Sequence, residues 1–134
     1  MKVAIIGRTS ILYNCAKILL DNHFEIPLII TSKEAPEYTI NSNDFKKLAE
    51  DIGAKFIYTP KINEEEIITN ILSLGEIDLA VSINYSGVIS QKVINLFRFG
   101  VLNAQEETLT TKGVPFFGRH RLALPPCSRI YLLL

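Results

Sequence analysis

Short apolar segments recur along the chain between Val3 and Leu102, each bounded by Gly, Pro or polar residues. The strand candidates are Val3 to Ile6, Ile26 to Thr31, Ala54 to Tyr58, Leu79 to Ile83 and Val101-Leu102. Short runs without polar alternation are typical of strands that are buried on both faces of a parallel sheet. Because segments long enough for one helix separate these runs, the pattern predicts an α/β fold: a doubly wound, mostly parallel sheet with helices on both faces.

The segments between the strands carry apolar residues at helical spacing. The apolar sets are Ile11, Cys15, Ile18 and Leu19, then Phe45, Leu48, Ala49 and Ile52, and finally Val93, Ile94 and Phe97. We expect each set to face the core. Ser10 and Asn63 precede helical segments and are the expected N-caps, whereas Gly53 and Gly100 are the expected stops.

Composition limits the chain to one ordinary domain. Its 134 residues are 48% hydrophobic and carry no formal net charge. They suffice for one core and give no electrostatic reason to expect a nucleic-acid or membrane surface. The apolar runs are far shorter than the ~20 residues of a membrane span. Cys15 and Cys127 lack the spacing of a metal site or a disulfide framework, which favours a reducing, cytoplasmic location without a metal.

Polar residues follow several strand candidates directly. These junctions are Gly7-Arg8, Thr31-Ser32, Asn84-Tyr85 and Asn103-Ala104. Ligands of doubly wound sheets bind outside the carboxyl ends of the strands, so we expect these residues to lie together. Residues 8 to 11 also begin a helix, where backbone amides can hold an anion. Gly7-Arg8-Thr9-Ser10 is not a dinucleotide-binding fingerprint, however, and a plain strand-to-helix turn is the alternative.

The segment from Ile77 to Gln105 has a more specific pattern. It contains a buried strand, Tyr85-Ser86-Gly87, a short helix, Gly100 and then Val101-Leu102-Asn103. This pattern resembles the formyl-transferring domain of the formyltransferase family, which includes methionyl-tRNA, glycinamide ribonucleotide and amino-sugar formyltransferases. The likeness covers residues 1 to 104. It implies a Rossmann-like fold, 10-formyltetrahydrofolate as the cofactor and an amine as the acceptor.

The resemblance also implies roles for individual residues. Asn103 matches the family's Asn that contacts the formyl oxygen, and Gln105 occupies the position of the family's catalytic His. The acceptor amine would face Arg8, Thr9 and Ser10. The pterin of the cofactor would lie against Ile83, Asn84, Tyr85, Ser86, Val88 and Ile89. For Val88 and Ile89, a place in the core is the alternative.

The resemblance ends near Gln105. An amide there can donate a hydrogen bond, but it cannot act as a general acid or base near neutral pH. Residues 106 to 134 contain no Asp, although the family has a catalytic Asp beyond this point. We therefore expect an incomplete formyltransferase-like domain over residues 1 to 105, truncated after about five strands. Residues 106 to 134 are predicted to be an irregular tail. We attribute this tail to a disrupted reading frame. Its end, Ile130 to Leu134, is interpreted as either an edge strand or a disordered end.

The sequence supports two classes of function. The first is transfer of a formyl group from 10-formyltetrahydrofolate to an amine, impaired by the missing His and Asp. The acceptor would be an aminoacyl-tRNA such as methionyl-tRNA or an amino-sugar nucleotide, because the short turn after Gly7 and the modest loop from Ser32 to Asn43 favour these branches over the purine branch. The second is a non-catalytic or vestigial domain that binds folate or a nucleotide. We also expect the open sheet edge after Asn103 to favour homo-oligomers.

Overall fold

The computed structural model of the protein describes residues 1–106, 120–121 and 128–133. These residues form one sheet with the strands β1 (Val3–Gly7), β2 (Leu28–Thr31), β3 (Lys55–Tyr58), β4 (Leu79–Ile83), β5 (Val101–Glu106), β6 (His120–Arg121) and β7 (Ser128–Leu133). Across the sheet the strand order is β3-β2-β1-β4-β5-β7-β6. Strands β1 to β5 are all parallel. The predicted doubly wound, Rossmann-like α/β sheet is therefore confirmed.

Helices cover both faces of this sheet. They are α1 (Thr9–Asp21), α2 (Ser42–Ile52), α3 (Glu65–Leu72) and α4 (Gln91–Ile94). One core cluster joins α1 and α2 to the face that carries Val3 and Ile5. The other joins α3 and α4 to the face that carries Ala4 and Ile6. Successive strand residues thus enter opposite cores, because side chains alternate across a strand.

Helix α1 packs through a different stripe from the predicted one. Ile11 and Ile18 are 52% and 61% exposed, whereas Leu12 and Ala16 are fully buried. The prediction that Ile11 and Ile18 face the core is wrong because α1 carries two neighbouring apolar stripes, and packing on the sheet selects the one with Leu12. The predicted N-cap is also wrong, since Arg8 holds that position and makes no side-chain cap hydrogen bond.

The sequence predicts the end of α2 correctly but not the start of α3. Helix α2 ends at Gly53 with a φ of 74°, as predicted, and begins with a capping box between Asn41 and Asp44. Helix α3 begins at Glu65 with Glu64 as its N-cap. Asn63 is therefore not the cap, because its side chain bonds instead to the backbone of residues 88 and 90.

The sheet continues past the five predicted strands. Strand β7 pairs antiparallel with the whole of β5, from Val101 opposite Leu133 to Glu106 opposite Ser128, and β6 pairs with β7. The edge of β5 that the sequence leaves open is therefore covered, and the proposed route to homo-oligomers through that edge is wrong. Residues 128–133 form a strand, as one of the two interpretations of the chain end expected, but it lies between β5 and β6 and not at the edge of the sheet. The rest of the predicted irregular tail, residues 107–119, 122–127 and 134, lies outside the described residues.

Candidate functional site

Arg8 joins the carboxyl ends of three strands. It follows β1, and its Nε donates to the carbonyl of Asn84 after β4 over 2.8 Å. Its Nη1 donates to the carbonyl of Lys33 after β2 over 3.0 Å. The guanidinium also lies over the Tyr38 ring, 5.4 Å from its centroid. The rigid fork of donors suits arginine to this bridge, which holds the loops after β2 and β4 beside the start of α1.

Thr9 and Ser10 begin α1 next to this bridge. Thr9 has a φ of 87°, which is a genuine outlier for a β-branched residue. It is 8% exposed, and its hydroxyl oxygen is buried without a hydrogen-bond partner within the described residues. Ser10 is half-buried. A strained, unsatisfied hydroxyl beside a helix N-terminus is an unusual combination, and strain of this kind concentrates at functional sites.

Asn103 lies in the middle of the sheet. It pairs with Ser82 of β4 on one side and with Tyr131 of β7 on the other, and it is 8% exposed. Its carboxamide supplies donors that need no particular pH to act. The predicted catalytic Asn is therefore a buried polar residue in the middle of β5, level with the carboxyl-terminal part of β4. Gln105 lies two residues further on, with its backbone opposite Arg129, and its side chain lies outside the described part of the structure.

Ser82 is a polar residue at this site that the sequence analysis missed. Its side chain is fully buried, and its hydroxyl has no hydrogen-bond partner among the described residues. Ser82 pairs with Ile6 on one side and with Asn103 on the other. The signal that could have found it is the single polar residue inside the apolar run Leu79 to Ile83.

The predicted cofactor-binding residues divide into buried and exposed positions. Ile83 belongs to the core beneath α1, while Tyr85 and Ile89 belong to the core beneath α3 and α4. Val88, in contrast, is 50% exposed. Asn84 has a left-handed φ of 50°. Among these residues, Val88 is thus the apolar side chain most available to a ligand.

Four hydrogen bonds anchor the loop after β4. The Tyr85 hydroxyl donates to the Thr59 carbonyl over 2.7 Å, and the hydroxyls of Ser32 and Ser86 lie 2.7 Å apart. The side chain of Asn63 donates to the Val88 carbonyl over 2.6 Å and accepts from the Ser90 amide over 2.8 Å. These contacts tie the loop to the connections after β2 and β3. Asn63 was missed because its partners lie far away in sequence.

The main chain of this loop has unused donors. Within the described residues, none of the backbone amides of residues 85 to 89 donates to a backbone carbonyl. A pterin carries several hydrogen-bond acceptors as well as a flat apolar face, and ligand sites commonly combine such a face with a few backbone groups. The backbone amides of this loop and the exposed Val88 are therefore the groups that it offers to a ligand.

Burial raises the pKa of the Tyr85 phenol to about 12, and a backbone hydrogen bond from Ile62 lowers it in part. Tyr85 consequently remains protonated at neutral pH and cannot act as a base. Burial likewise raises the pKa of the Cys15 thiol, which disfavours the reactive thiolate. Both groups are therefore inert parts of the core at neutral pH.

The described residues contain neither a candidate metal site nor a helix that could span a membrane. No cluster of three or more His, Cys, Asp or Glu side chains in residues 1–106, 120–121 and 128–133 could hold a metal ion. Across those same residues, no helix has the length and apolar character needed to cross a membrane. Two open clefts, of about 330 and 380 Å³, lie at the opposite end of the strands and contain none of the predicted site residues.

Comparison with known proteins identifies the fold. No family model and no curated protein matches the chain. Among solved structures, phosphoribosylglycinamide formyltransferase from Bacillus halodurans matches with a TM-score of 0.56 and 16% identity over 82% of this chain. The enzyme of the same description from Anaplasma phagocytophilum gives 0.55 and 18% over 83%. Glycinamide ribonucleotide transformylase 1 from Symbiobacterium toebii gives 0.53 and 12% over 82%.

These similarities establish a formyltransferase-like fold. The chain spans only 52% to 58% of the length of these solved structures, so it corresponds to about half of each. The resemblance predicted from the segment around Asn103 is confirmed at the level of the fold.

Proposed function

We propose that this protein transfers a formyl group from 10-formyltetrahydrofolate to an amine, at a rate reduced by Gln105. The observation that carries the proposal is Asn103, a buried carboxamide in β5 of a formyltransferase-like sheet. Its position near the carboxyl ends of the strands is where ligands of such sheets bind. A cytoplasmic location forms part of the same proposal.

The chemistry required of the chain is limited. 10-Formyltetrahydrofolate supplies a formyl group bonded to its N10 atom. The lone pair of the acceptor amine forms a bond to the formyl carbon, the bond from that carbon to N10 breaks, and one proton passes from the amine to N10. Negative charge develops on the formyl oxygen meanwhile. A hydrogen bond from Nδ2 of Asn103 stabilises that charge, as donors in an oxyanion hole do.

The start of α1 would bind the acceptor. Both candidate acceptors, an amino-sugar nucleotide and an aminoacyl-tRNA, carry phosphate groups. Arg8 supplies a positive charge, the buried Thr9 hydroxyl is unsatisfied within the described residues, and the first turn of α1 supplies backbone amides near Ser10. Anions are stabilised at helix N-termini by these amides and by the helix dipole. The acceptor phosphate would therefore lie there, with its amine directed toward Asn103.

The loop after β4 would hold the cofactor. The unpaired backbone amides of residues 85 to 89 would bond to the pterin, and the exposed Val88 would lie against its ring. Asn84 and Ser86, which belong to the same loop, would also contact the cofactor. Ile83, Tyr85 and Ile89 would shape the loop from within the core, since their side chains are buried.

Gln105 limits the expected rate. The proton must leave the amine and reach N10, and a positioned acid or base typically accelerates such a step by ~10²–10⁴-fold. An amide cannot do this. Proton transfer would therefore depend on water, and we expect slow turnover.

The direct test measures binding and turnover separately. The protein is incubated with 10-formyltetrahydrofolate and either a UDP-amino sugar or methionyl-tRNA, and the formylated product is quantified by mass spectrometry. Asn103→Ala should lower the rate by ~10²-fold and leave the dissociation constant of the folate nearly unchanged. Asn70→Ala, at a partly exposed position of α3, is the matched control. Turnover that is equal in wild type and Asn103→Ala would contradict the proposal.

A non-catalytic folate-binding domain is the second candidate. It is favoured by Gln105 and by the absence of Asp from residues 106 to 134. It predicts folate binding without any formylated product. Gln105→His alone should not restore fast turnover in either case, because residues 106 to 134 supply no Asp to assist the new His. Reading all three frames of the source DNA across codons 95 to 134 tests the reading-frame hypothesis: a frame that restores His and a later Asp supports it, and the lack of one refutes it.

A further inference from the structure

Ser82 has a buried hydroxyl group, and packing of the fold alone does not explain why a polar side chain occupies this position. Its side chain is fully buried, and among the described residues its oxygen has no hydrogen-bond partner. Leaving a hydroxyl unsatisfied in a protein interior is costly, and an apolar residue of similar size would avoid the cost. An unsatisfied hydroxyl at a fully buried strand position therefore points to a partner that it meets in another state of the site.

The strand register identifies that partner. Ile6, Ser82 and Asn103 form a row across β1, β4 and β5. Residues in register on parallel strands project from the same face, and the strands are ~4.8 Å apart. Ile6 offers no polar group, so the carboxamide of Asn103 is the polar neighbour of Ser82 in this row. A hydroxyl and a carboxamide on neighbouring strands at this spacing are close enough for one side-chain rotation to place them within hydrogen-bonding distance, which is ~3 Å.

We propose that Ser82 is a positioning residue that donates its hydroxyl hydrogen to Oδ1 of Asn103. This inference rests on the proposed function of Asn103. The two ends of a carboxamide have nearly the same shape but opposite hydrogen-bonding character. A donor at Oδ1 therefore selects one of the two orientations. In the selected orientation Nδ2 points away from Ser82 and toward the formyl oxygen, whereas the reverse orientation would place Oδ1 against a developing negative charge.

The first experiment observes the carboxamide itself and needs no turnover. The side-chain amide signal of Asn103 is identified in ¹⁵N-labelled protein by its loss in Asn103→Leu. Ser82→Cys keeps nearly the same volume but has only a weak donor, and Ser82→Thr keeps the hydroxyl. We expect the order parameter of this amide in the folate complex to fall toward flexible values, below ~0.6, in Ser82→Cys and to stay near the wild-type value in Ser82→Thr.

Ser73→Ala is the control. Ser73 also carries a serine hydroxyl, but this hydroxyl donates to the Asn70 carbonyl over 2.6 Å at the end of α3, apart from the residues proposed to hold the cofactor or the acceptor. It should leave the Asn103 amide unchanged. If the amide is equally ordered in wild type and in Ser82→Cys, the positioning role is overturned.

The second experiment separates this inference from the proposed function. If the wild type forms product, Ser82→Cys should lower kcat by about tenfold, which corresponds to the loss of one hydrogen bond, with KM for folate unchanged. Ser82→Thr should restore it. The effect should disappear in the Asn103→Ala background, because the carboxamide to be oriented is absent. Additive losses in the double variant would overturn the proposal. A wild type without product would instead refute formyl transfer, and the order parameter alone would then decide the role of Ser82.

Discussion

Gly7 and Ile83 approach so closely that a Cβ atom on Gly7 would lie 2.0 Å from the carbonyl oxygen of Ile83. The contact joins the ends of β1 and β4, where Gly7 has a φ of 133°. The backbone of Arg8 then donates to the same carbonyl over 3.0 Å. The position thus requires glycine both for its backbone conformation and for its lack of a side chain.

Gly7→Ala should lower the free energy of unfolding by about 3 kcal/mol or more, since neither strand can move without breaking sheet hydrogen bonds. Chemical denaturation followed by circular dichroism measures the change. Gly53→Ala is the control: Gly53 also has a positive φ, of 74°, but a Cβ there would meet no atom within 4 Å. It should cost only about 1 kcal/mol. Equal losses in the two variants would show that the contact with Ile83 is unimportant.

Tyr85 should make stability depend on pH in the alkaline range. Burial raises the pKa of its phenol to about 12 in the folded protein, against the ordinary value of about 10 in an unfolded chain. The fold therefore favours the protonated phenol, and its full contribution is present below pH 10. Between pH 10 and pH 12 the free energy of unfolding should fall by roughly 1.4 kcal/mol per pH unit.

Tyr85→Phe tests this dependence by difference. The variant should lose about 1 kcal/mol at neutral pH, because the Thr59 carbonyl loses its donor, and it should lack the extra loss between pH 10 and pH 12. Tyr58→Phe serves for comparison, since Tyr58 is 50% exposed. Urea midpoints at pH 8, 10 and 11.5 are sufficient. A steep alkaline loss that persists in Tyr85→Phe would assign it to other groups.

Arg8 should contribute to stability through its two carbonyl contacts. Arg8→Gln cannot span from the Asn84 carbonyl to the Lys33 carbonyl, and we expect a loss of about 2 kcal/mol in the free energy of unfolding. Arg98→Gln is the control, because Arg98 also stacks on an aromatic ring, Phe99, but has only an exposed ion pair with Glu76 at 3.7 Å. Its loss should stay below about 0.5 kcal/mol. A similar loss at both positions would mean that the bridge between strand ends adds little.

Asn63 should control the mobility of the loop after β4. In Asn63→Ala the Ser90 amide and the Val88 carbonyl both lose their partner. Hydrogen exchange at the Ser90 amide should accelerate by about tenfold, which corresponds to roughly 1.4 kcal/mol of local stability. Asn70→Ala removes only a bond to the Glu66 carbonyl within α3 and should leave this amide unchanged. Unaltered exchange at Ser90 in Asn63→Ala would contradict the anchoring role.

The strands and several helix ends could be predicted because each depends on residues that are close together in the sequence. Apolar runs such as Leu79 to Ile83 and a stop such as Gly53 reflect the burial and backbone conformation of the residue itself. The order in which parallel strands associate also follows general rules, so the meeting of Arg8 and Asn84 at one edge could be expected. The tail could not be predicted in this way. Strand β7 exists through its pairing with β5, which is a contact remote in sequence.

Errors at the site share a physical cause. Asn63 has the sequence context of an N-cap, but its side chain bonds more favourably to the distant loop at Val88. Ile11 and Leu12 are neighbours on α1, and only packing on the sheet decides which is buried. Ser82 lies in register with Asn103 on the neighbouring strand, and no spacing along the chain reveals that the two residues are neighbours.

The sequence alone was sufficient for the α/β class, the parallel sheet and the resemblance in fold, because each depends on residue type and short-range periodicity. The tertiary structure decided which polar groups meet. Hydrogen bonds of Arg8 bridge the loops after β2 and β4, and hydrogen bonds of Asn63 further anchor the loop after β4. Hydrogen bonds of this kind act over about 3 Å between atoms from distant parts of the chain, so their partners are selected only when the sheet has brought the strand ends together.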